Sequence, residues 1–137
     1  MSERKPRKGK TRLTLKDAFE VEYARRAMEQ RKREEAERKQ QEEDLARATQ
    51  LQAALDSDPD FLAEHALVVD RRRYTVSVDH DDFRIAAYFE MGKASVTLSD
   101  KRSPAMPGAA APRKQMTVET LEEALGVMAQ YLVDETR

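Results

Sequence analysis

The sequence predicts an α+β fold: a long charged N-terminal helix, a short helix, a three-stranded antiparallel meander, and a C-terminal helix packed on one face of the sheet. Three observations carry this. Helix-forming residues run without Pro or Gly from Leu13 to Leu55, three short segments between Tyr74 and Ser99 alternate apolar with polar side chains, and an apolar stripe recurs at helical spacing after Val118. The implied segments are a basic arm over residues 1–12, a long helix over 13–57 and a small α-β-β-β-α domain over 58–137.

The arm, MSERKPRKGKTR, has no apolar side chain after Met1, so nothing offsets the entropy of ordering it, and it is expected to be disordered. The long helix changes character along its length. Leu15, Phe19, Tyr23 and Ala27 recur every fourth residue, with Ala18, Ala24 and Met28 beside them, and this stripe calls for a partner surface. From Glu29 to Asp44 the one apolar side chain is Ala36, while Glu29/Arg33, Glu34/Arg38 and Glu35/Lys39 stand in the favourable i,i+4 order, which marks a solvated spacer. Leu45, Ala48, Leu51 and Leu55 restore the apolar spacing, so the last turns are expected to pack on the following domain. No heptad is sustained over the whole run.

Asp58 and Pro59 suit the cap and first position of a short helix with Phe61, Leu62 and Ala66 on its buried side. The strands follow as Tyr74–Asp79, Phe83–Glu90 and Ala94–Ser99. A two-residue turn at Met91 and Gly92 pairs Phe89 with Ala94, Ala87 with Val96, Ile85 with Leu98 and Glu90 with Lys93. A four-residue turn, Asp79 to Asp82, is expected to pair Val78 with Phe83 and Val76 with Ile85. Residues 101–115 read as a loop, and Thr117 as the cap of a helix whose stripe is Val118, Leu121, Leu125, Met128 and Leu132. About fourteen side chains line these stripes, a small core, so residues 45–57, a second copy of the chain, or both are expected to complete it.

Composition narrows the function. Charged residues make up 37% of the 137-residue chain and aromatics 6%, and there is no cysteine, which excludes disulfides, thiolate metal sites and cysteine nucleophiles. That suits a reducing cytoplasm, the expected location. No uncharged run approaches the roughly 20 apolar residues of a membrane span, and no apolar stretch follows the basic N-terminus as in a signal peptide, so membrane insertion is not expected. The net charge of −1 conceals an asymmetry: residues 1–16 carry +6, residues 17–57 carry −3, residues 58–100 carry −4 and the remainder is neutral.

No catalytic, metal or cofactor site is expected. Asp79, His80, Asp81 and Asp82 bunch in one turn, where Asp is favoured for turn geometry, and no nucleophile, base and orienting group accompany them; the four glycines stand singly, so no phosphate loop exists. The first expected function is that of a protein-interaction adaptor, with Leu15, Phe19, Tyr23, Ala27 and Met28 docking on a protein partner while the C-terminal domain anchors or forms a homodimer. The alternative is nucleic-acid or ribonucleoprotein binding through Arg4, Lys5, Arg7, Lys8, Lys10 and Arg12, joined by Arg71, Arg73 and Arg84 on an open sheet face with Tyr88. In topology, helix, three strands and helix resemble double-stranded-RNA-binding domains, although Glu119, Glu122 and Glu123 stand where that family has a basic cluster. The long first helix followed by three strands and a last helix also resembles a family of small bacterial nucleoid-associated dimers.

Overall fold

The computed structural model describes residues 13–102 and 111–137, so the arm expected over residues 1–12 lies outside the described residues. The order is α1 (Leu15–Asp56), α2 (Pro59–Glu64), β1 (Val68–Arg72), β2 (Thr75–Asp79), β3 (Phe83–Glu90), β4 (Lys93–Asp100), β5 (Ala111–Val118) and α3 (Leu121–Thr136). The chain divides into two compact units, residues 1–38 and 39–137, and each is described by itself.

Within the first unit the initial turns of α1 are capped by Thr14, whose hydroxyl accepts from the Asp17 N–H at 3.1 Å. Their exposed surface is laced by local ion pairs: Glu22 binds both Arg25 and Arg26, and Arg25 also reaches Glu29 at 2.7 Å. Hydrogen bonds from the Arg25 and Arg26 side chains lower the Glu22 carboxyl to a pKa of about 2.

The second unit is an α+β domain around a five-stranded antiparallel sheet in the order β1-β2-β3-β4-β5, two strands more than the sequence predicts. The additional strands are the two edges. β1 pairs with β2 through a tight turn at Arg73 and Tyr74, and Arg73 adopts a positive φ of 53°. β5 takes the end of the expected 101–115 loop, from Ala111 on, and continues to Val118. Its side chains lack apolar alternation because on this edge polar groups are served by the neighbouring helix: Lys114 lies opposite Leu98, yet its Nζ reaches Asp134 at 2.8 Å and sits 5.8 Å from the centre of the Tyr131 ring. Pro112 is accommodated on the same edge, next to the register shift at Leu98/Ser99. With five strands, the helix, three-strand, helix order behind both topological resemblances does not describe this domain.

The central hairpin keeps the expected register, with Phe89 opposite Ala94, Ala87 opposite Val96, Ile85 opposite Leu98 and Glu90 opposite Lys93. Met91 and Gly92 both adopt positive φ, 55° and 80°, the conformation of a tight two-residue hairpin turn. The β2–β3 register differs from expectation by two residues: Val78 faces Ile85 and Val76 faces Ala87. The turn comprises His80 to Phe83, closed by a 2.9 Å bond from the His80 N–H to the Phe83 carbonyl. A slip of two preserves the face of every side chain, so alternation alone could not tell the registers apart.

One sheet face is covered by two helices. The last turns of α1 bury Ala48 and Leu51 completely, and α3 packs over β3, β4 and β5 with Ala124, Val127, Met128 and Tyr131 buried. The helix cap is Thr120, in place of Thr117, which belongs to β5. The Thr120 hydroxyl accepts from the Glu123 N–H, and the Glu123 carboxylate accepts from the Thr120 N–H, each at 3.1 Å. Because α1 shares the face, α3 is turned so that Leu121, Leu125 and Leu132 are only partly buried.

Candidate interaction surfaces

In the first turns of α1 the apolar stripe is exposed among the described residues. Leu15 is 87% exposed, Phe19 62% and Tyr23 67%, with Met28 exposed and Ala27 half-buried. The Phe19 and Tyr23 rings lie 5.8 Å apart and tilted by 33°, forming one aromatic pair on the helix surface. Leu13 and Val21 add further exposed apolar side chains to the same segment.

The basic residues divide differently from expectation. Arg4, Lys5, Arg7, Lys8, Lys10 and Arg12 lie outside the described residues. Arg71 is on the core side of β1, opposite Val76. Its Nε donates to the Gln52 side chain of α1 at 2.8 Å and its Nη1 to the Arg73 carbonyl at 3.2 Å, so it does not join the open face. Sequence alternation misplaced it because the β1–β2 turn at Arg73 and Tyr74 breaks the presumed single strand. Arg73 lies over the Tyr74 ring at 5.3 Å. Arg84 is on the open face, bound to Asp79 at 2.7 Å. The centre of that face is neutral and polar, with Thr75, Ser77, Ser95, Thr97 and Gln115 around Ala86 and Tyr88, while Asp70, Arg72, Glu90 and Lys93 stand at its margins.

The acidic turn is occupied by structural bonds. Burial pushes the Asp79 carboxyl up, but hydrogen bonds from Arg84 and Lys101 and their charges outweigh it and hold it below the ordinary value. His80 Nδ1 accepts from the Asp82 N–H at 3.0 Å, and its ring stacks on Phe83 with centres 4.7 Å apart. Among the described residues no three His, Cys, Asp or Glu side chains are grouped to hold a metal ion, and no helix is long and apolar enough to cross a membrane.

Two features of the second unit escaped the sequence reading. Asp44 of α1 is only 4% exposed, and its carboxylate accepts from the Met91 and Gly92 N–H groups, each at 3.0 Å, while Arg47 donates to the Gly92 carbonyl. A helix carboxylate thus clamps the β3–β4 turn from a distance of 47 residues in sequence, which no local pattern announces. The second feature is an apolar groove of about 200 Å3 between the end of α1, α2, the sheet and α3. Leu55, Leu62, Ile85, Leu125, Met128 and Leu132 line it, and Asp58 stands at its edge. All six of these residues are apolar positions of the predicted elements; their convergence depends on the rotation of α3 described above. No family model, curated protein or solved structure matches the chain.

Proposed function

We propose that this chain is a non-enzymatic protein-interaction adaptor of the cytoplasm, in which the first turns of α1 dock on a protein partner and the C-terminal α+β domain serves as the anchor. The observation that carries this reading is the exposure of Leu15, Phe19, Tyr23 and Met28 on one helical segment. Exposed large apolar side chains concentrated on a helix are the usual anchors of helix-in-groove recognition. The open sheet face offers less, since its charges are matched locally, Arg84 by Asp79, Arg72 by Asp70 and Glu90 by Lys93 across the hairpin.

Phe19→Glu places a charge at the centre of the stripe. It is expected to leave the thermal unfolding of the chain unchanged, because Phe19 is 62% exposed, and to abolish recovery of the proteins that wild type captures. Identical captured sets for the two proteins would refute the reading.

A second reading rests on the +6 charge of residues 1–16. These residues contact a polyanion such as RNA or DNA with little sequence choice, and affinity falls steeply with salt. Deletion of residues 2–12 is then expected to remove most gel-shift affinity; unchanged affinity would exclude it.

A further inference from the structure

The apolar groove belongs to the second unit alone, since all its lining residues lie between Ala54 and Leu132. Ile85 and Met128 in its lining are part of the buried core, whereas Leu55, Leu62, Leu125 and Leu132 are only partly buried. The apolar surface continues at the rim. Phe61 lines it at 40% exposure, and Val68 and Val133, next in sequence to the lining residues Leu67 and Leu132, are 64% and 51% exposed. A volume of about 200 Å3 is below the roughly 300–1,000 Å3 of sites that enclose a small molecule, and it takes one or two large apolar side chains. Size therefore points to side chains projecting from a partner, with the exposed rim covered by the rest of the same segment.

Charge specifies the other half of that segment. Between Arg47 and Arg71 there is no Lys or Arg, and into this stretch fall Asp56 at the end of α1, Asp58 at the α2 cap, and Asp60 and Glu64 on α2. All four are exposed, and none has a cationic partner among the described residues. Asp58 lines the groove itself; its Oδ1 accepts from the Phe61 N–H at 3.2 Å, which holds the carboxylate at the edge. The opposite wall, α3, contributes no Lys or Arg, and its Asp134 and Glu135 are already matched by Lys114, Arg102 and Arg113. An apolar segment flanked by cations is attracted to this border, whereas a fatty acid, an anionic membrane or an acidic helix is repelled.

We propose that the groove docks a protein partner through a short amphipathic segment, which seats one or two large apolar side chains against Leu55, Leu62, Leu125 and Leu132 and places Lys or Arg beside Asp56, Asp58, Asp60 and Glu64. The inference goes beyond the α1 stripe: it gives the anchoring domain a recognition surface of its own, which stands whether or not the stripe binds.

The test uses the full chain with its Ile, Leu and Met methyl groups labelled for NMR, titrated with synthetic helical peptides of about 16 residues. One peptide carries Phe and Leu a helical turn apart, flanked by Lys. A second has Glu in place of each Lys, and a third keeps the Lys but has Ala in place of Phe and Leu. The first is expected to shift the methyl signals of Leu62, Leu125 and Leu132. The second is expected to bind about 10-fold more weakly, as for a few exposed charge pairs, and the third to leave these methyls unmoved. Ala129→Leu fills the groove from an exposed lining position with a good helix former, so it is expected to abolish the shifts without lowering the melting temperature. Asp58→Asn keeps a capping oxygen while removing the charge, and is expected to weaken the first peptide about 3-fold. Phe19→Glu is expected to bind it as wild type does, so the groove and the stripe stand or fail separately. Equal binding of the Lys and Glu peptides, shifts confined to Leu13 and Leu15, undiminished binding by Ala129→Leu, or no binding of any peptide up to about 1 mM would overturn the inference. So would naphthalene shifting groove methyls that no peptide moves.

Discussion

Asp44 shows how one side chain can fix the placement of a helix on a sheet. Its carboxylate holds two turn N–H groups while Gln40 donates to it at 3.2 Å, so the α1 turn around Asp44 and the β3–β4 turn form one hydrogen-bonded unit. Asp44→Ala leaves both donors without this acceptor and is expected to lower stability by about 2–3 kcal/mol in urea unfolding, with Asp44→Asn costing less because one carbonyl oxygen remains. Asp79 gives a pH dependence. Its folded pKa lies below the ordinary value, so its contribution is complete above about pH 4, where the unfolded group ionises, and is lost as pH falls through the lower folded value. Urea unfolding below pH 4 is expected to show a shallower loss of stability for Asp79→Asn than for wild type. Neither role was legible beforehand: Asp44 reads as one more charge on a charged helix, and Asp79 as one of four turn carboxylates.

At the scale of elements, α1, α2, the three inner strands β2, β3 and β4 and α3 all follow from sequence pattern, while the sheet edges do not. Edge strands lie partly against solvent, so β1 and β5 tolerate Asp70, Arg71, Arg72, Pro112, Arg113 and Lys114, residues that mimic loop composition. On β5 the cations are further matched by α3, where Glu135 binds Arg113 at 3.1 Å and also Arg102, just beyond β4, at 2.6 Å. The misplaced helix start has the same origin: with β5 unrecognised, Thr117 seemed to begin α3. Thr120→Ala removes the observed capping box and is expected to cost about 1 kcal/mol of unfolding free energy, whereas Thr117→Ala, at an exposed position on β5, leaves α3 intact.

For the whole molecule, the same apolar pattern has two fates. Leu51 at the end of α1 is fully buried in the domain core, while Phe19 at its beginning is left to solvent. The stripe that proves exposed and the stripe that proves buried look alike in sequence, because periodicity specifies an apolar face without specifying what covers it. The groove was less legible still, since its residues come from four elements and its opening depends on how α1 and α3 divide one sheet face. The adaptor reading therefore rests on cover: residues 15–28, exposed among the described residues, are proposed to be covered by a partner protein.

Amide hydrogen exchange of the chain alone and saturated with a protein that wild type captures tests this most directly. Protection of residues 15–28 is expected to rise when the partner is bound and this rise to disappear in Phe19→Glu, while the amides of Ile85, Ala87 and Val96 in the sheet core stay equally protected throughout. Protection of residues 15–28 that is the same with and without the partner and unaffected by Phe19→Glu would contradict it.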